Sequence, residues 1–213
     1  MVGKGVLLEC LKSPLVNSVL AINRQSLGLS HPKLKEVVHK DFFNLTAIKA
    51  ELSGYNACFF CLGLSSAGVS AAEYQHITYD LTLNFAKTLL ELNKEMTFCY
   101  ISGAGTDSTE KGRIKWARVK GKTENDLLAL GFKDAYMFRP GFIRPMKGVK
   151  SKTALYNALY VVLSPLFPLI MAFPRFATRS ETLSKAMIHV ADQGWEKKVL
   201  ESLDINGIVT SNE

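Results

Sequence analysis

Apolar and polar positions follow two rhythms along this chain, one of strands and one of helices. "SVLAINR" is apolar and closes on polar residues, as a buried strand does, and "KLKEVVHKDF" predicts a second short strand over residues 35–38. Gly28 and Pro32 mark the loop between them. "LTAIKAELSGY" has helical spacing closed by Gly54, and the continuous apolar run "NACFFCLGL" is what a strand covered on both faces requires. The alternation continues with a long helix over 71–92, the strand "MTFCYISG", a helix over 114–130 and the strand "AYMFRPGF". From Lys150 onward the pattern is helical, with a short final strand at 198–203. Strand and helix in turn predict an α/β fold: a Rossmann-type, doubly wound parallel sheet with helices on both faces and a small helical C-terminal lobe. No internal repeat interrupts it, so residues 1–213 read as one domain in which 150–213 form the C-terminal lobe.

Composition narrows the class without choosing a function. Apolar residues make up 47% of the 213 and charged residues 21%, which excludes a disordered or fibrous chain. The formal charge of +7 suits an anionic partner, but the basic residues are spread over several elements and form no stripe with interleaved aromatics, which argues against nucleic acid. Cys10, Cys58, Cys61 and Cys99 lie in apolar stretches and read as reduced core thiols. The C-x-x-C spacing of Cys58 and Cys61 would point the two side chains to opposite faces of a strand. His31, His39, His76 and His189 show no ligand spacing, so no metal is expected. The opening residues do not read as a secretory signal, and a cytoplasmic location is the expectation.

Residues 154–173 carry no charged side chain, a length that approaches a membrane span. Pro165 and Pro168 would break such a helix midway, so a lid over the cleft, a peripheral membrane contact and a span all stay open. Lys147, Lys150, Lys152, Arg175 and Arg179 flank the segment and would suit anionic lipid.

In a parallel sheet of this kind ligands bind at the carboxyl ends of the strands. Those ends carry Asn23 and Arg24, Asp41 and Phe42, Gly63, Ser102 and Gly103, and Pro140 and Gly141. With the opening "MVGKGVLLECL" and the segments "INR", "KDF", "CLG", "YISGAG", "WARVKGKTEND" and "FRPG", the chain resembles, over nearly its whole length, the atypical short-chain dehydrogenase/reductase family. The likeness is to its epimerase/dehydratase-like members and to the Tat-interacting oxidoreductase-like group. The resemblance implies an NADP-binding oxidoreductase-like protein that passes hydride to a small carbonyl substrate. Gly3 would match the last glycine of the family's phosphate loop. Arg24 would favour the 2′-phosphate of NADP over NAD. Asp41 and Phe42 would border the adenine, Gly63 and Pro140 would line the cofactor, Ser102 would orient the carbonyl, and Lys120 would bind the nicotinamide ribose.

Two departures matter. The family tyrosine one helical turn before the lysine is here Trp116, whose indole cannot exchange a proton near neutral pH. A catalytically impaired nucleotide-binding sensor or scaffold is therefore the alternative function, and Tyr100, on the strand face of Ser102, is a weak substitute for the missing acid. The family's first strand and first two loop glycines are also unmatched. The expectation is a natural form with roughly ten more residues, without which the strands ending at Arg24 and Gly63 lose a shared neighbour.

Overall fold

The structure, a computed structural model, describes residues 2–144 and 173–210. Helix α1 (Val2–Lys12) leads into strand β1 (Val19–Asn23), followed by β2 (Leu34–Val38), a 3-10 turn at Thr46–Leu52 and β3 (Ala57–Phe60). Next come α2 (Ala71–Gln75), a π-helical turn at His76–Asp80 and α3 (Leu81–Leu92). Strand β4 (Thr97–Ile101), α4 (Lys115–Ala129) and β5 (Asp134–Arg139) complete the alternation. The C-terminal part adds β6 (Phe142–Arg144), β7 (Ala177–Arg179), α5 (Ser180–Gln193), β8 (Val199–Glu201) and α6 (Ser202–Thr210). The chain is thus an α/β protein with helices on both faces of parallel strands, in the Rossmann-like arrangement expected. The helix expected over 71–92 is continuous but carries the π turn, and the strand expected at 198–203 gives way to α6 at Ser202. The apolar segment 154–173 lies, except for the exposed Phe173, outside the described residues. Among the described residues no helix is long and apolar enough to cross a membrane.

All strand pairs are parallel, in the orders β1-β2, β3-β4-β5-β8 and β6-β7. Alternation along β4 and β5 shows why they are central. Phe98, Tyr100, Ala135 and Met137 face one apolar cluster with Leu81, Phe85, Leu89 and Leu127 of α3 and α4. Cys99, Tyr136 and Phe138 face the other, with Val6 and Cys10 of α1 and Leu183 and Met187 of α5. A strand covered on both faces needs such an unbroken apolar run, and burying each large side chain contributes roughly 1.5–3 kcal/mol. Cys58 and Cys61 point into opposite clusters, as their odd separation requires.

The seam between β1 and β3 is different. The two strands share both clusters, yet no hydrogen bond joins them among the described residues. All five residues of β1 and three of the four of β3 are only half-buried, whereas four of the five in β4 are buried.

Candidate functional site

The carboxyl ends of β1 to β5 carry the residues singled out in the sequence. After β1, Asn23 is half-buried and Arg24 is exposed, with no hydrogen bond or ion pair among the described residues. The loop that bears them is fastened to β2. Glu36 Oε1 accepts from Asn23 Nδ2 at 3.1 Å and from the Leu27 amide at 2.8 Å, while Oε2 accepts from Ser26 Oγ at 2.8 Å. These donors, the Leu27 amide first, hold the Glu36 carboxyl below its ordinary range.

After β2, Asp41 Oδ1 accepts from the Phe43 amide at 3.0 Å and the Asn44 amide at 3.3 Å, a side-chain turn that fixes the segment. Phe42 is buried, with its ring 6.2 Å from that of Phe85. After β3, Gly63 is exposed, and a Cβ built on it would meet none of the described residues within 4 Å. Gly3 lets α1 lie against the end of the same strand, since an added Cβ would stand 3.1 Å from Cβ of Cys61. The backbone can be approached closely at both positions.

The ends of β4 and β5 meet α4. The Ser102 amide donates to the Phe138 carbonyl at 2.9 Å, and its hydroxyl donates to the same oxygen at 3.1 Å. Ser102 is buried, and this bond engages the hydroxyl that was expected to orient a carbonyl. Lys120 donates to the Ser102 carbonyl. An added Cβ on Gly103 (φ +119°) would lie 3.9 Å from both Lys120 Nζ and the Pro140 carbonyl, and that carbonyl accepts from the Ala104 amide at 2.9 Å. Ser102, Gly103, Lys120 and Pro140 thus form one cluster, while Arg24 and Asp41 sit on separate loops along the same edge. Burial pulls the Lys120 ammonium down to about 8, against the opposing pull of Glu124. Trp116, one turn before Lys120, lies against Gly105. Tyr100 is buried against Phe60, and burial pushes its phenol far above the ordinary range, which makes it a weaker acid than a free tyrosine.

Three features escaped the sequence reading. The Glu36 clasp is one. The second is Gly121, where an added Cβ would stand 1.8 Å from the Asp107 carbonyl oxygen, so the loop after β4 seats directly on α4. The third is a buried ion pair at the base of the cluster: Arg139 Nε reaches both carboxylate oxygens of Glu124, at 3.0 and 3.1 Å, and its other nitrogens reach Ser108 and Glu201. An arginine inside the apolar strand "AYMFRP" was the available signal, because a buried charge needs a partner. Among the described residues no three His, Cys, Asp or Glu side chains form a metal-ligating group.

The fold and the edge it presents define the class: a Rossmann-like α/β protein with its candidate site at the carboxyl ends of the strands. The comparisons are consistent with that class. The bacterial enzyme WbmF of Bordetella bronchiseptica, solved with NAD+ and UDP, aligns with 100% of this chain and 75% of its own at a TM-score of 0.68 and 15% identity. DesIV of Streptomyces venezuelae, a dTDP-glucose 4,6-dehydratase solved as a double mutant with NAD and DAU bound, gives 0.66 at 12% identity, covering 99% of this chain and 77% of its own. In sequence, the chain is 28% identical over 160 residues to the Aspergillus terreus "Protein fmp52-2, mitochondrial", covering 74% of this chain and 69% of that one. No family model matches. The cytoplasmic location expected from the sequence is corrected by these relatives, since the names of similar fungal proteins, the Saccharomyces cerevisiae one included, place them in the mitochondrion.

Proposed function

We propose that this chain binds NADP along the carboxyl edge of its sheet and acts as an oxidoreductase of the short-chain type on a small carbonyl compound. The observation that carries the proposal is the cluster of Ser102, Gly103, Lys120 and Pro140, aligned on one edge with Arg24, Asp41, Phe42 and Gly63. The residues fit such a cofactor chemically. Arg24 has a guanidinium free to pair with a 2′-phosphate, Gly63 and Gly103 leave room for close backbone approach, and Lys120 offers ammonium protons for ribose hydroxyls. Gly3 near the start of α1 would serve the site by letting that helix pack closely on the strand end at Cys61. When bound, a nicotinamide dinucleotide gives or takes a hydride; the protein positions it and handles the proton. Residues 150–213 would shape the substrate side.

A second reading is favoured by one observation. Trp116 stands where a proton-exchanging phenol would be needed, and the Ser102 hydroxyl is engaged by the Phe138 carbonyl. A protein with that arrangement binds the nucleotide as a sensor or scaffold without turning over substrate. NADPH consumption over a broad carbonyl panel separates the two readings. Titration calorimetry on the wild type and Arg24→Ala tests the cofactor. Tighter binding of NADPH than NADH is expected, with Arg24→Ala losing about 1.5–3 kcal/mol for NADPH alone. Equal affinity for both cofactors in the wild type would overturn the assignment.

A further inference from the structure

We propose that Glu36 sets cofactor selectivity by holding the loop that presents Arg24, an inference that rests on the NADP reading above. Glu36 pairs in register with Ala21 on the neighbouring strand, so its side chain shares a sheet face with Asn23. One carboxylate takes three donors, the Asn23 amide group, the Ser26 hydroxyl and the Leu27 backbone N–H. The loop then closes through a bond from the Gly28 amide to Ser26 Oγ at 3.2 Å, with Gly28 itself at φ +62°.

The donors lie on either side of Arg24 and Gln25, so the clasp leaves these two residues exposed at the tip. Two consequences follow from the chemistry. The guanidinium is displayed on a braced loop, so the ordering needed to grip a phosphate is already largely in place before binding. The carboxylate, meanwhile, has three of its acceptor positions taken by the loop, which leaves it poorly placed to capture Arg24 or to accept from a pair of ribose hydroxyls, the interaction that favours NAD. A braced arginine beside an occupied carboxylate selects for the 2′-phosphate. Glu36 touches no cofactor in this account and is a positioning residue.

The test compares wild type, Glu36→Gln and Ser26→Ala. Glu36→Gln keeps the shape but removes the charge and one acceptor oxygen, and Ser26→Ala removes a single donor. Calorimetry gives Kd for NADPH and NADH, and amide hydrogen exchange without cofactor reports residues 24–28. With the competent loop population falling to about one in ten in Glu36→Gln, the preference for NADPH over NADH should drop about tenfold, and NADH affinity should stay within about twofold. Exchange in the loop should accelerate, and Ser26→Ala should fall between the other two. An equal loss for both cofactors would mean a merely structural role and overturn the proposal. So would an unchanged or enhanced NADPH preference in Glu36→Gln, or unchanged exchange. A wild type that binds both cofactors equally would instead overturn the NADP reading itself, and the selectivity role with it, even if exchange accelerates.

Discussion

Replacing Gly121 by alanine inserts one methyl group where α4 carries the loop that follows β4. The built Cβ stands 1.8 Å from the Asp107 carbonyl oxygen and 2.5 Å from its carbon, both backbone atoms that no rotamer change can move. To reach even the shortest contact that real Cβ atoms make, the loop must retreat by roughly 1.2 Å. That movement stretches the 3.1 Å bond from the Asp107 amide to the Ala117 carbonyl and pulls on Ser108, which Arg139 holds. Overpacking costs about 1–3 kcal/mol and a lost backbone bond about 1 kcal/mol more, so the variant should lose about 2–4 kcal/mol. For a chain of this size that is a fall of about 4–16 °C in Tm. Because the same loop begins at Ser102 and Gly103, NADPH affinity should fall as well. Gly207→Ala is the control: it lies in α6 with no described residue within 4 Å of its added Cβ, and should be neutral or stabilising by up to about 1 kcal/mol. Thermal melting followed by circular dichroism decides. If Gly121→Ala melts with the wild type, the loop does not rest on α4 as described.

Two further outcomes follow from Lys120 and its neighbour. Trp116→Tyr restores a phenol one turn from the lysine and should raise carbonyl reductase turnover by about 10² to 10⁴, measured as NADPH oxidation; fast wild-type turnover that this change leaves unaltered would show that another group carries the proton. Lys120 titrates at about 8 when folded, against an ordinary value of 10.5. A lowered lysine pKa means that between those values the unfolded chain holds a proton the folded chain has shed, so stability rises with pH across that window. Urea unfolding at pH 7.5 and pH 10 should therefore show the wild type gaining on the order of 2 kcal/mol relative to Lys120→Met, and a difference that is flat with pH would contradict the burial of the amine.

Much of the architecture was legible because burial leaves a plain signature. The runs "ACFF" and "TFCYI" become strands packed on both faces, and the order of strands and helices follows from their alternation. The candidate site was legible as a set of strand ends but not as a geometry. Sequence places Ser102 and Lys120 eighteen positions apart; only the fold shows the lysine bonded to the serine's backbone carbonyl and the serine hydroxyl bonded to Phe138. Nothing in the sequence around Gly121 marks it, since the atom that requires it belongs to a loop fourteen residues earlier. Glu36 lies within the short strand expected over 35–38, and its work depends on three donors that come together only when the preceding loop folds back. Glu124 lies in a helix rich in charged residues, and only the fold brings Arg139 across from it. In each case the deciding contact is non-local, and periodicity carries no trace of it.

The seam between β1 and β3 gives the molecule an uneven grain. Across β4 the sheet is stitched by main-chain bonds on both sides, a directional linkage that resists sliding. Across the seam no main-chain ladder is present among the described residues, and cohesion comes from α1, from apolar side chains and from a few polar ties such as Lys35 with Glu51 and Asn84 with the Phe43 carbonyl, which hold surfaces together but set no strand register. The β1-β2 pair, with the Arg24 loop at its tip, is therefore fastened to the rest like a hinged panel rather than a plank in a floor. Small rotations about α1 would open or narrow the distance between Arg24 and Lys120 while every ladder in the larger sheet stays intact.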